Sequence, residues 1–127
     1  MHLNAPVSPG EFLDKQTILE IKLARIADPA ALENVRRELD LLRLEWAASP
    51  FARSDVAAQV DELRKVNETL WEIEDRIRLK EKDQAFDAEF VELARGVYRT
   101  NDRRAAIKRA INVALASDLL EEKSYKG

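Results

Sequence analysis

The chain has no cysteine, one histidine, three glycines and four prolines, and only 6% of it is aromatic. The first absence excludes disulfides, thiolate nucleophiles and thiolate metal sites, and it agrees with a reducing compartment. With His2 alone, histidine-built zinc sites, the Glu-x-x-His pairs of di-iron bundles and Ser-His or Cys-His nucleophile systems cannot be assembled. No Gly-rich phosphate loop occurs either. No cofactor is therefore expected, and a metal could be held only by carboxylates. No apolar run approaches the roughly 18 residues a membrane span needs, and the opening MHLNAPV lacks both the basic region and the apolar core of a secretion signal. The expectation is a cytoplasmic protein with no membrane partner.

What is present is 46% hydrophobic and 35% charged residues in a chain of 127. That composition describes one helix-rich soluble domain with enough length to bury a core. Twenty-one basic residues against 24 acidic ones leave a net charge of −3. This balance argues against nucleic acid as a partner, while local charged patches remain open.

The stretch 7–26 carries the clearest start signal. Ser8 is placed to accept the N–H of Glu11 while Glu11 reaches back, Pro9 takes the first helical position, and Val7 with Phe12 occupies the positions of a hydrophobic staple. Apolar residues from Phe12 to Ile26 fall around the whole circumference of this helix, which predicts a buried one. Asp14, Lys15, Glu20, Lys22 and Arg25 lie among them. Charges so embedded need partners, unless the long Lys and Arg stems carry their heads out to water.

The first helix is expected to end near Ala27, with Asp28 capping a second that starts at Pro29. Leu32, Val35, Leu39, Leu42 and Trp46 give this second helix one apolar stripe. Residues 47–53 read as a connection, and Ser54 as the cap of a third helix reaching about Lys82. Its stripe is Val56, Val60, Leu63, Val66, Leu70, Ile73 and Ile77, with Asn67 and Glu74 close to the centre. Asn67 fits a register-fixing amide. Glu74 calls for a cation, from Lys15, Lys22, Arg25 or the fourth helix. After a polar turn at 83–87, Phe90, Ala94, Val97, Asn101, Arg104, Lys108, Ile111 and Leu115 step by three and four. Either the fourth helix runs unbroken and turns Arg104 and Lys108 inward, or Thr100, Asn101 and Asp102 cap a new helix at a kink. Residues 99–109 also hold Arg99, Arg103 and Arg109, which read as a solvated face or an anion site. Beyond Ala116 the pattern weakens, and 117–127 reads as a short turn or tail that Leu119, Leu120 and Tyr125 could dock.

The blocks PVSPGEFLDKQTILEIKLARI, NETLWEIEDRIR, FVELARGVYRTNDRRAAIKRAIN and EEKSY occur in that order. Together they resemble, over nearly the whole chain, a family of short bacterial proteins catalogued only as a domain of unknown function. The resemblance implies that Lys15, Thr17, Asn67, Trp71, Glu74, Asn101, Arg104, Lys108, Asn112 and the segment from Glu122 to Tyr125 belong to the family's pattern. It also implies a neighbourhood of glycosyltransferase and cell-surface polysaccharide genes.

The expected fold is all-α, a single-domain antiparallel bundle of four main helices over 1–127, with an extended leader at 1–7. The expected site is a polar cluster of Lys15, Lys22, Arg25, Asn67, Glu74, Asn101, Arg104 and Lys108 from the first, third and fourth helices. Its surplus of cations suits an anionic small molecule or an acidic protein partner. The first functional reading is thus a binding or accessory protein, with self-association through the apolar stripes as a further expectation. An enzymatic alternative rests on residues 18–25, which are similar in spacing to the first-helix segment of chorismate mutases, with Arg25 in place of that family's helix-one arginine. The second helix begins sooner than in that family, and no downstream Lys or Arg-Glu element matches. A third reading has the polar groups pairing internally and only specifying the bundle.

Overall fold

In a computed structural model, residues 1–116 are described, and they form four helices and no strand: α1 (Pro9–Arg25), α2 (Pro29–Ala47), α3 (Ala57–Lys82) and α4 (Ala88–Ala114). The expected docking of Leu119, Leu120 and Tyr125, and the family segment Glu122 to Tyr125, lie outside the described residues. Residues 1–7 are non-helical and exposed.

The all-round apolarity of α1 has a direct cause, because α1 packs against each of the other three helices. Leu13, with Gly10, Asp14, Thr17 and Ile21, lies on a buried face. Leu13 joins Val56, Leu63, Val66, Ile107 and Ile111 in one core cluster, against which Trp46 also packs. Roughly half a turn away, Leu19 packs with Val35, Leu39 and Leu42 of α2, flanked by Phe12, Leu23 and Ile26. Among the described helices α2 packs closely on α1 alone. Stacking of Phe12 on Trp46 at 5.8 Å and of Trp46 on Phe51 at 6.0 Å ties the end of α2 and the following connection to α1.

The sequence-read helix starts divide into two kinds. Ser8 caps α1 through its hydroxyl, which accepts the Glu11 N–H at 3.1 Å, and Asp28 caps α2 by accepting the Ala31 N–H at 2.9 Å. The expected staple does not close, since Val7 is 48% exposed and Phe12 stacks on Trp46 instead. Ser54 does not cap α3. Its N–H is held in a turn by the Phe51 carbonyl, and the helix begins only after Val56, which has no side-chain cap. Burial of Val56 in the core decides that start, and local cap chemistry yields to it.

The α3–α4 connection is tightly specified. Gln84 adopts a left-handed φ of 56°, and the Ala85 N–H to Lys80 C=O and Gln84 N–H to Glu81 C=O bonds form a Schellman motif. Asp87 then caps α4 by accepting the Phe90 N–H at 2.9 Å. Helix α4 runs without a break through Thr100, Asn101 and Asp102, so the continuous alternative holds. Its core differs by one position from the expected stripe: Leu93 is buried and Ala94 is exposed. Leu93 shares its face of α4 with Gly96, three residues on, and Ile73 of α3 packs against that glycine.

At Gly10 the helices α1 and α4 come closest, because a Cβ there would run into the Lys108 carbonyl oxygen and Asn112 Oδ1. A carbonyl on a helix cannot step aside, so Gly10→Ala should cost about 3 kcal/mol of unfolding free energy by overpacking. A Cβ at Gly96 would meet only the flexible end of Ile73, at 3.2 Å. Gly96→Ala should therefore be near neutral, since helix propensity returns about 1 kcal/mol. Urea unfolding of both variants tests this, and equal losses would refute the close α1–α4 approach.

The far end of the α3–α4 pair makes a second prediction. Lys80 bonds Asp87 at 2.9 Å and pairs with Glu89 at 3.2 Å, and Arg76 pairs with Glu89 at 2.8 Å. The Lys80 hydrogen bond, aided by the Phe90 N–H at Asp87 and by Arg76 at Glu89, holds both carboxyls below their usual range. The Lys80 ammonium is raised in turn, chiefly by its hydrogen bond to Asp87. Depressed carboxyls stabilise the fold above their unfolded pKa, and that contribution is lost as pH falls through the folded values. A raised lysine contributes below its unfolded value and loses that contribution as pH rises through the folded one. Amide protons of residues 84–91, followed by exchange corrected for intrinsic rates, should lose protection at acid pH before those of residues 10–17. Simultaneous loss would contradict a locally held tip.

Candidate functional site

The candidate site forms around a carboxylate that sequence reading noticed but did not select. Asp14 is 1% exposed, Thr17 0% and Asn67 5%. On α1, Asp14 and Thr17 are one turn apart, so both face the line where α3 and α4 meet. The Asn67 amide of α3 donates to Asp14 Oδ1 and to Thr17 Oγ1, each at 2.9 Å. The Thr17 hydroxyl donates in turn to the main-chain carbonyl of Asp14 at 2.7 Å. From α4, Arg104 closes a fork on the same carboxylate, with Nε on Oδ1 at 2.8 Å and Nη2 on Oδ2. Three helices thus share one buried anion.

A ladder continues along α1 and α4. The Lys108 ammonium donates to Glu11, and the Asn112 side-chain oxygen accepts the Gly10 N–H at 2.7 Å, capping α1 from another helix. Lys108 and Asn112 are spaced at four-residue steps from Arg104, which places all three on one face of α4. Asn112 Nδ2 is buried without a partner among the described residues. Its Oδ1 bond across the closest helix approach accounts for an amide at that position.

The eight expected site residues separate. Asn67 and Arg104 meet on Asp14, and Lys108 lies one step along the ladder on Glu11. Lys15 instead points to α2, pairing with Glu38 at 2.9 Å with both side chains about half exposed. Arg25 pairs with Glu72 at 3.1 Å on the surface. Glu74 is exposed, so the carboxylate that meets the inward cations is Asp14. Lys22 and Asn101 are half-buried, and their side chains make no hydrogen bond or ion pair among the described residues. Helical projection places Glu74 near the centre of a stripe, but α1 ends at Arg25, which pairs with Glu72 just before it, and Glu74 is left exposed. Thr17 and Asn112, in the family's pattern by resemblance, are central here. The available signal for Asp14 was a short carboxylate on a helix apolar on every side, since a short side chain cannot carry its charge out to water.

Among the described residues no group of His, Cys, Asp and Glu is arranged to hold a metal ion, and no helix is long and apolar enough to cross a membrane. A family described as a family of unknown function, DUF6165, matches residues 3–127. This chain belongs to that family. No curated protein and no solved structure matches the chain. For this DUF6165 member, then, the chemistry of the site has to be read from its own residues.

That chemistry is charge balance. Each cation of the ladder faces a carboxylate, Arg104 on Asp14 and Lys108 on Glu11. Breaking a buried pair from one side leaves an uncompensated charge, and replacing both partners by apolar groups does not. Asp14→Asn should destabilise by roughly 3 kcal/mol, the low end of the buried-pair range because the Arg104 side chain is 25% exposed. The double variant Asp14→Leu with Arg104→Met should lose much less than the sum of the singles. Glu74→Gln should fall within about 0.5 kcal/mol of wild type. Denaturant unfolding of the wild type, Asp14→Asn, Glu74→Gln, the double variant and its two singles decides it, and a Glu74→Gln cost as large as that of Asp14→Asn would move the centre of the network.

Proposed function

We propose that this protein is a bacterial, cytoplasmic accessory protein that binds an anionic small molecule or an acidic partner segment, without catalysing a reaction, through the outer face of α4. The observation that carries this reading is the different fate of two sets of cations on one helix. Arg104 and Lys108 face inward and are committed to Asp14 and Glu11. Arg95, Arg99 and Arg103 recur every four residues on an exposed face. Arg95 and Arg99 share the single carboxylate of Glu92, at 4.0 and 2.9 Å. Glu92 is the one carboxylate these three guanidinium groups pair with among the described residues, and they form a cationic strip on a protein whose net charge is −3. Guanidinium forks suit carboxylate and phosphate oxygens. The family's resemblance-based neighbourhood makes sugar phosphates and sugar nucleotides the first anions to try.

The internal pairing of the buried network favours a second reading, in which the polar cluster only specifies the bundle and no ligand exists. The chorismate-mutase alternative draws no support from the position of Arg25, which lies on the surface against Glu72 rather than with Arg104.

A thermal-shift panel at fixed ionic strength separates these readings. Glucose 1-phosphate, UDP-glucose, pyrophosphate, succinate and polyglutamate are compared on the wild type and on the triple variant Arg95→Gln, Arg99→Gln, Arg103→Gln. A ligand at a hundredfold excess over Kd adds about 2.7 kcal/mol to native stability, a rise of several degrees in Tm. At least one anion should stabilise the wild type and lose most of its effect on the triple variant. A panel without response would overturn the binding reading in favour of the purely structural one.

A further inference from the structure

Between α3 and α4 lies a groove of about 470 Å³, within the range that small-molecule sites occupy. Arg99 and Arg103 line one wall and Lys65 the other, with Val66 between them and Glu62 nearby. We infer that this groove is a binding site for a phosphate ester whose organic part carries hydroxyl groups. The inference rests on the anion-binding reading above and gives it a place and a ligand class.

The two arginines are one helical turn apart on α4, so their Cβ atoms stand about 6 Å from each other and the two long side chains can reach one phosphate group, or both groups of a diphosphate. Lys65 supplies a point charge from the facing helix. Two of the three cations are already oriented by a neighbour, Arg99 by Glu92 at 2.9 Å and Lys65 by Asp61 at 3.1 Å, which lowers the ordering cost of binding. Arg103 has no ion pair among the described residues, so it gives up none when an anion arrives. Thr100, half-buried and without a hydrogen bond among the described residues, offers a hydroxyl donor on the same wall.

The remaining lining selects what the phosphate is attached to. Val66, an apolar core residue, forms the floor of the groove, where an organic part rather than a charge would lie. Glu62 disfavours a ligand that is anionic throughout and accepts hydrogen bonds from hydroxyl groups. A polyol phosphate satisfies both ends, whereas a bare polyanion or a dicarboxylate meets repulsion at Glu62.

Calorimetric titration of the full chain with glucose 1-phosphate, inorganic phosphate and glucose tests the inference. Glucose 1-phosphate should bind, and Arg103→Ala should weaken it about tenfold, the scale of one charge-assisted hydrogen-bonded contact. Arg43→Ala, an exposed change of equal charge on α2, should leave it unchanged. Glu62→Gln should weaken glucose 1-phosphate while leaving or improving inorganic phosphate. Equal effects of Arg103→Ala and Arg43→Ala would overturn the groove, and a Glu62→Gln variant that binds glucose 1-phosphate normally would overturn the hydroxyl selection. Binding of polyglutamate with glucose 1-phosphate silent would also remove the groove while leaving the anion-binding reading intact. Silence of every anion would remove both. Each variant's melting curve confirms folding, which Arg103 and Arg43, both exposed, are not placed to disturb.

Discussion

One buried carboxylate sets the geometry of this protein. Asp14 has almost no contact with water, and its charge must be answered from within the fold. The answer comes from two other helices at once, the Asn67 amide of α3 and the Arg104 fork of α4, while Thr17 on its own helix accepts from the same amide and donates to the Asp14 main-chain carbonyl. Each of those bonds is directional, so together they fix how α1, α3 and α4 are rotated about their axes. An apolar seam of the same shape could match this network in stability, because desolvation consumes much of what a buried pair returns. What it would not match is the penalty for slipping by one residue, which here would strand a guanidinium or a carboxylate. The ladder through Lys108 and Asn112 extends that register control to the start of α1, where Gly10 permits the helices to touch.

Helix α2 is attached by different means. Its contact with α1 is a cluster of Leu19, Val35, Leu39 and Leu42, closed at one end by the Phe12, Trp46 and Phe51 rings. Such packing is less particular about register than a hydrogen-bonded network and tolerates substitution of similar volume. The far end of α3 and α4 is held in a third way, by a Schellman turn, a cap and exposed ion pairs. The molecule is therefore most rigidly specified where α1 meets the α3–α4 pair, and the two walls of the Lys65–Arg103 groove belong to the same two helices that Asn67 and Arg104 lock together. Helices of fixed register keep the backbone positions of Lys65, Arg99 and Arg103 at a constant spacing.

A good part of this was legible beforehand. Caps at Ser8 and Asp28 and the polar turn at 83–87 marked three helix starts, and the period of the apolar residues gave four helices in nearly the right places. Ser54 misled because it offers a cap chemically as good as the others, while the core claims Val56 two residues later. Glu74 misled because a helical projection shows which residues share a face, and not how far along that face another helix continues. Lys15 and Arg25 sit on the helix with the most neighbours, yet their long side chains reach the rim and pair there with Glu38 and Glu72.

By itself the sequence determined the local and the periodic features: four helices, the caps of the first two, an unusually apolar first helix, and the presence of charges that a core would have to answer. These follow from contacts within a few residues and from the 3.6-residue repeat, which one chain segment carries alone. Tertiary structure decided which charge met which. Asp14 and Arg104 are 90 residues apart, and Arg104 shares its helix with Arg99 and Arg103, identical in side chain and opposite in fate. Only the rotation of α4 against α1 turns one inward to a buried carboxylate and leaves the others on an open groove, and that rotation is held by the Asp14–Arg104 fork and by the close helix approach that Gly10 permits.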